Sequence, residues 1–212
     1  MRGLNFKKRD RAGQTLPLPR LLFLALFFFT GVILGQVLAG RVPDATGGEL
    51  SRYLTDYIQI SGEPDLTART ALSAAVIYFR YPLLAFLLGF ASVGVVLLPC
   101  VTAAFGFFLS FSVSCFTAAF GADGVLLALA VFGLRCAVTL PVFFLLAVPS
   151  WGASAALASL SFGRGRWCAP VAYGRGWWLR LAACGAVLLA GVCVDLFISP
   201  WFLRLVLERI LA

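Results

Sequence analysis

Histidine is absent from this chain, and lysine occurs only at Lys7 and Lys8. The first absence removes the usual general base, the commonest metal ligand and any Ser-His or Cys-His dyad. The second leaves no lysine inside an apolar stretch to activate a buried serine. Together they argue against intramembrane hydrolysis, and no catalytic, metal or cofactor residue is expected. Charge is also scarce: 12% of the 212 residues are Asp, Glu, Lys or Arg, about half the usual share of a soluble domain. A water-soluble fold of this size lacks the residues for its polar shell. The six cysteines (Cys100, Cys115, Cys136, Cys168, Cys184 and Cys193) show no C-x-x-C spacing. All but one sit in apolar segments, where a thiol behaves as a small hydrophobe, so no disulfide framework is expected.

What the chain has is apolar length, with 61% hydrophobic residues. Between Arg80 and Arg164 only Asp123 and Arg135 are charged. Crossing a hydrocarbon core of about 30 Å takes about 20 apolar residues as helix, so this stretch alone holds several crossings. The expected fold is an all-α polytopic membrane protein in contact with the lipid bilayer. The net charge of +8 then reports topology, with basic residues on the cytoplasmic side, and nucleic acid is not expected as a partner.

Residues 1–20 carry Arg2, Lys7, Lys8, Arg9, Arg11 and Arg20 against Asp10, a basic cytoplasmic tail. The run 21–39 exceeds the apolar core of a signal peptide and lacks a convincing small-x-small cleavage site, so it reads as a retained first span. Residues 41–79 balance Arg41, Arg52 and Arg69 against Asp44, Glu49, Asp56, Glu63 and Asp65, an extracytoplasmic segment. Thr46 and Glu49 have capping-box spacing, and Leu50, Tyr53, Leu54, Tyr57 and Ile58 fall on one helical face. Gly62–Pro64 breaks that helix, and a second runs through Leu72 and Val76 into the membrane. The apolar face of this hairpin folds on itself, lies on lipid or docks a partner. Further spans are expected over 81–98, with a turn at Pro99, over 101–120 and over 125–148. Residues 151–180 read as a cytoplasmic interfacial helix and a basic loop with Arg164, Arg166, Trp167, Tyr173, Arg175, Trp177, Trp178 and Arg180. The last span covers 181–198, ends at Ser199-Pro200 and leaves 199–212 as an extracytoplasmic tail. Five spans put both basic segments on one side, whereas four would not.

Some positions inside the spans stand out. Gly31 and Gly35 form a G-x-x-x-G pair, and Gly106, Ser110, Ser114 and Ala118 recur every four residues. Small faces let helix backbones approach, where contact in lipid depends on close packing. The face packs within the monomer or against another protein or copy, a homo-oligomer included. Arg135 lies near mid-bilayer, where a cation costs about 2.5–3.5 kcal/mol, so it should face the interior with a partner. Asp195 is the acid inside an apolar segment, while Asp123 is about 18 Å away along the helix. The expected pair is therefore Arg135 with Asp195, either fixing helix register or serving transport.

The order of these features resembles the stage II sporulation protein M family of endospore-forming bacteria over nearly the whole chain. The resemblance rests on the basic start with Thr30-Gly31-Val32-Ile33-Leu34-Gly35, then Leu87-Leu88-Gly89-Phe90-Ala91-Ser92-Val93-Gly94 and Phe105-Gly106. It continues through Gly121-Ala122-Asp123-Gly124, Leu140-Pro141-Val142-Phe143 and Asp195-Leu196-Phe197-Ile198-Ser199-Pro200. It adds Gly89 and Gly94 to the candidate packing positions. It implies a non-catalytic, multi-pass scaffold of the bacterial cytoplasmic membrane, N-terminus cytoplasmic, on the mother-cell side of the forespore septum. Its partners would be the peptidoglycan hydrolases called stage II sporulation proteins D and P during engulfment. The alternative is a small transporter or channel subunit, suggested by Arg135 and the glycine-rich spans. Such proteins often show internal repeats, and no convincing repeat is present.

Overall fold

A computed structural model describes residues 18–41, 68–161 and 174–211, and among them every regular element is helical. The helices are α1 (Leu18–Ala39), α2 (Ala68–Leu88), α3 (Gly94–Phe120), α4 (Ala122–Ala128), a π-turn (Leu129–Gly133), α5 (Leu134–Ser161) and α6 (Arg175–Leu211). Among the described residues four helices (α1, α3, α5 and α6) are long and apolar enough to cross a membrane, while in α2 the apolar stretch is the shorter Ala74–Leu88. The chain is an all-α polytopic membrane protein, and most of its exposed large side chains are apolar because they face lipid.

Helix directions follow from which residues meet. Gly31 faces Ala103 and Gly35 faces Phe107, so α1 and α3 run parallel. Phe23 stacks on Trp151 and Phe28 meets Phe144, so α5 runs antiparallel to α1. Tyr78 lies by Arg135 and Gly89 by Ser150, which makes α2 parallel to α5. Trp177 and Arg180 line a cleft with Pro149 and Ser150, whereas Asp195 reaches Arg135, so α6 returns antiparallel to α5. Because α1 and α3 point the same way, the chain recrosses the same thickness between them, along α2.

The core divides about α5. On one side Phe143, Ala147 and Val148 of α5 pack with Leu24 and Phe28 of α1, Ala85 of α2, and Leu98 and Phe105 of α3. On the other, Val142 and Leu146 pack with Ala74, Tyr78 and Phe86 of α2 and with Cys184, Leu188 and Val192 of α6.

Several expected boundaries move. α1 begins at Leu18 rather than 21, since Pro19 lies in the first turn, where its missing N–H has no intrahelical partner to lose. The span expected over 81–98 is broken instead at 89–93, and Pro99 lies inside α3 rather than at a turn. The break begins with i to i+3 bonds from Gly89, Phe90 and Ala91 to Phe86, Leu87 and Leu88. It is held from outside the segment: the Ser154 hydroxyl donates to the carbonyl oxygens of Ala91 at 2.6 Å and Ser92 at 3.4 Å. Pro99 cannot donate to the carbonyl of Val95, and the Trp151 indole Nε1–H donates to that carbonyl instead, at 3.0 Å. A tertiary contact thus satisfies the acceptor that the proline left open.

Residues 151–161, expected as an interfacial helix, continue α5 without interruption. Ser150, Ala153 and Ser154 are buried, because small side chains here let neighbouring elements approach closely. The expected fourth span 125–148 is likewise one part of a longer path through α4, the π-turn and α5. At the end of the chain, α6 runs on through Pro200 to Leu211 instead of stopping at Ser199. A proline removes one helical hydrogen bond, and that loss has not ended this helix. Gly121, at φ 61°, takes the left-handed turn between α3 and α4.

Candidate functional site

The candidate positions fall into two groups, glycine-lined joints and a buried charge cluster. At the joints, a Cβ added to Gly31 would strike the Ala103 carbonyl, one on Gly35 would lie 2.5 Å from the Phe107 carbonyl oxygen, and one on Gly106 would strike that of Phe28. Gly89 is closed in by Ser150, and Gly94 by the Leu88 carbonyl and Ser154. These five glycines therefore act inside the chain as contact points between its own helices. Ser110 adjoins Gly35, so it too belongs to the α1–α3 joint. The rest of the small-residue face is used differently: Ser114 and Ala118 line an open groove of about 490 Å³ with Gln36 and Thr117.

The charge cluster lies where α2, α5 and α6 converge. The π-turn at Leu129–Gly133 ends two residues before Arg135 and adds a residue to one turn, which rotates α5 about its axis relative to α4. Arg135 Nη2 donates to Asp195 Oδ2 at 3.0 Å, with side chains 20% and 5% exposed. The Arg135 guanidinium also stands 5.6 Å from the centre of the fully buried Tyr78 ring. Tyr78 Oη and Asp195 Oδ1 share this enclosure without meeting hydrogen-bond geometry, and Thr139 Oγ1, one turn beyond Arg135, is also buried and unbonded. Burial in a dry interior makes such a pair expensive to break, since the partner left behind keeps an uncompensated charge.

Sequence reasoning does not single out Tyr78, Thr139, Trp151 or Ser154. Tyr78 and Thr139 sit in apolar runs with no local signal of their role. For Trp151 there is a signal, namely Pro99, because a proline inside a span implies a carbonyl seeking a donor. The expected docking face, Leu50, Tyr53, Leu54, Tyr57 and Ile58, lies outside the described residues, as do residues 162–173 of the expected basic loop. Among the described residues no three His, Cys, Asp or Glu side chains cluster to hold a metal.

Fold and cluster together define a membrane-embedded helical bundle with an internal ion pair. Compared with protein-family models, curated proteins and solved structures, the chain matches none.

Proposed function

We propose that this chain is a non-catalytic membrane scaffold that recruits or localises septal peptidoglycan hydrolases during spore engulfment, as the resemblance to the stage II sporulation protein M family implies. One observation carries the reading: the segments that bear the resemblance are the structural joints of the bundle. Gly31 and Gly35 seat α3, Gly89–Gly94 forms the turn clamped by Ser154, and Gly106 lies under Phe28. Gly121 turns the chain, Phe143 is fully buried between α1 and α3, and Asp195 holds Arg135. Residues that build a shape, rather than line a reaction centre, are what a scaffold shares with its relatives.

Sidedness belongs to the same proposal. Contacts put the start of α1, the 89–93 turn and the start of α6 at one end of the bundle: Arg20 lies by Gly152, Ser154 bonds Ala91, and Trp177 meets Phe86 and Phe90. That end carries Arg20, Arg175 and Arg180, and the sequence adds the basic tail and loop. Under the positive-inside rule it is cytoplasmic, with residues 42–67 outside.

The test is co-purification from sporulating cells with the hydrolases called stage II sporulation proteins D and P. Recovery of both with the native chain, reduced recovery with Tyr53→Ala and Tyr57→Ala together, and stalled engulfment with unchanged solute uptake on gene deletion are the expected results. Normal engulfment after deletion overturns the scaffold reading.

A further inference from the structure

In the sequence Arg80 reads as a boundary charge, but α2 carries it past that boundary. It lies about 12 Å along the helix from Leu88 and about 18 Å from Ala68, near the middle of the apolar stretch Ala74–Leu88. The side chain is exposed, yet its bonds are to a neighbour on its own helix: Nη2 donates to Tyr81 Oη at 3.0 Å, and the guanidinium lies 4.5 Å from the Tyr81 ring centre. Among the described residues no carboxylate pairs with it, because Asp195 is taken by Arg135. A cation at this depth is costly and calls for a counter-charge.

Beside it is a cavity of about 120 Å³ between α2, α3 and α5, lined by Arg80, Tyr81, Arg135, Cys136 and Thr139. Its lining also includes Ile77 and Phe108, both exposed apolar side chains. Thr139 gives the second, independent observation. The hydroxyls of Thr102, Ser112 and Thr117 each donate to the carbonyl four residues back, as membrane helices usually arrange. Thr139, a residue of the cavity lining, is 4% exposed, yet its buried hydroxyl makes no such bond.

We propose that this cavity receives the carboxylate of an Asp or Glu in the transmembrane helix of a different protein, with Arg80 as counter-ion and Thr139 as hydrogen-bond donor. The proposal deepens the scaffold reading and rests on it for the choice of a protein as occupant. Charge complementarity selects the carboxylate, since the cavity is lined by two guanidiniums and, among the described residues, only that of Arg135 pairs with a carboxylate. Depth disfavours a lipid headgroup, whose phosphate belongs at the interface. A second copy is disfavoured because the chain's one acid within an apolar span, Asp195, is already committed to Arg135. The exposed apolar side chains of Ile77 and Phe108 in its lining suit the flanks of a transmembrane helix.

The probe is a synthetic polyleucine transmembrane peptide with a central Asp, compared with its all-Leu counterpart, in phosphatidylcholine vesicles holding the full chain labelled at its N-terminus. Energy transfer should show the Asp peptide associating about tenfold more tightly. Arg80→Leu should reduce it to the all-Leu level, and Arg80→Lys should keep most of the difference. If Arg80→Leu does not fold, Arg80→Gln removes the charge, keeps a polar stem and carries the same readout. Equal binding of the two peptides, or an Asp preference that survives loss of the Arg80 charge, overturns the proposal. So does displacement of the Asp peptide by phosphatidylglycerol, which assigns the site to a headgroup, and so does Arg80-dependent self-association, which assigns it to a second copy. An Arg80-independent result with intact hydrolase co-purification overturns this site and leaves the scaffold reading standing.

Discussion

Arg135 and Asp195 show how one polar pair organises a bundle whose other contacts are almost wholly apolar. Lipid is as apolar as leucine, so burying one more leucine gains little, whereas a buried charge tolerates few arrangements. Asp195→Leu should therefore destabilise the bundle by about 3–5 kcal/mol, because it strands the Arg135 guanidinium beside Tyr78. Replacing both, Arg135→Leu with Asp195→Leu, should recover most of that loss, since an apolar pair of similar size leaves no charge behind. Thermal or denaturant unfolding in lipid nanodiscs measures the difference. A double variant as unstable as the single one would show that the pair contributes through something other than its charges. This pairing was legible in the chain, because an isolated cation and an isolated acid within apolar segments have few possible partners. Tyr78 was not legible, because an aromatic in an apolar run carries no mark of the charge it will lie against.

At the level of elements, the informative exchange is between Pro99 and Trp151. Proline cost α3 a hydrogen bond at the Val95 carbonyl, and the indole of α5 supplied a replacement. Trp151→Phe removes the donor while keeping the stacked ring near Phe23, and should cost about 1–3 kcal/mol for the orphaned carbonyl. Pro99→Ala restores an N–H at position 99 that can bond Val95 from within the helix. The two substitutions together should then be less damaging than the sum of their separate effects, a coupling that a double-mutant cycle reads directly. Strict additivity would mean that the indole bond carries no weight. Helix content and membrane character were readable from apolar length. The breaks were not, because a proline, a glycine pair or a run of small residues marks only a place where a helix can end. Pro99, Pro149 and Pro200 all lie inside helices, and the break at 89–93 has no proline in it.

For the whole molecule, parallel α1 and α3 with antiparallel α5 place the start of α1 and the start of α6 at the same end. In a background with the native cysteines replaced, cysteines introduced at Lys8 and Gly165 should react with an impermeant thiol reagent from the same face of the membrane, and one at Glu49 from the other. Labelling of Lys8→Cys and Gly165→Cys from opposite faces would contradict this arrangement and the proposed role with it.

By composition alone this chain was committed to the bilayer: with so few charges, water could not solvate its surface, and a helix is the form that satisfies its own backbone in lipid. The depth of Arg135 and the acid that could answer it also followed from linear position. Tertiary structure decided where the helices break, which small residues become joints and which leave a groove, and that Arg80 lies within a helix instead of at its edge. The physical reason is that an open carbonyl or hydroxyl can be satisfied by a residue some sixty positions away, as Trp151 does for Val95 and Ser154 for Ala91. Local patterns record the need for such a partner without recording who meets it.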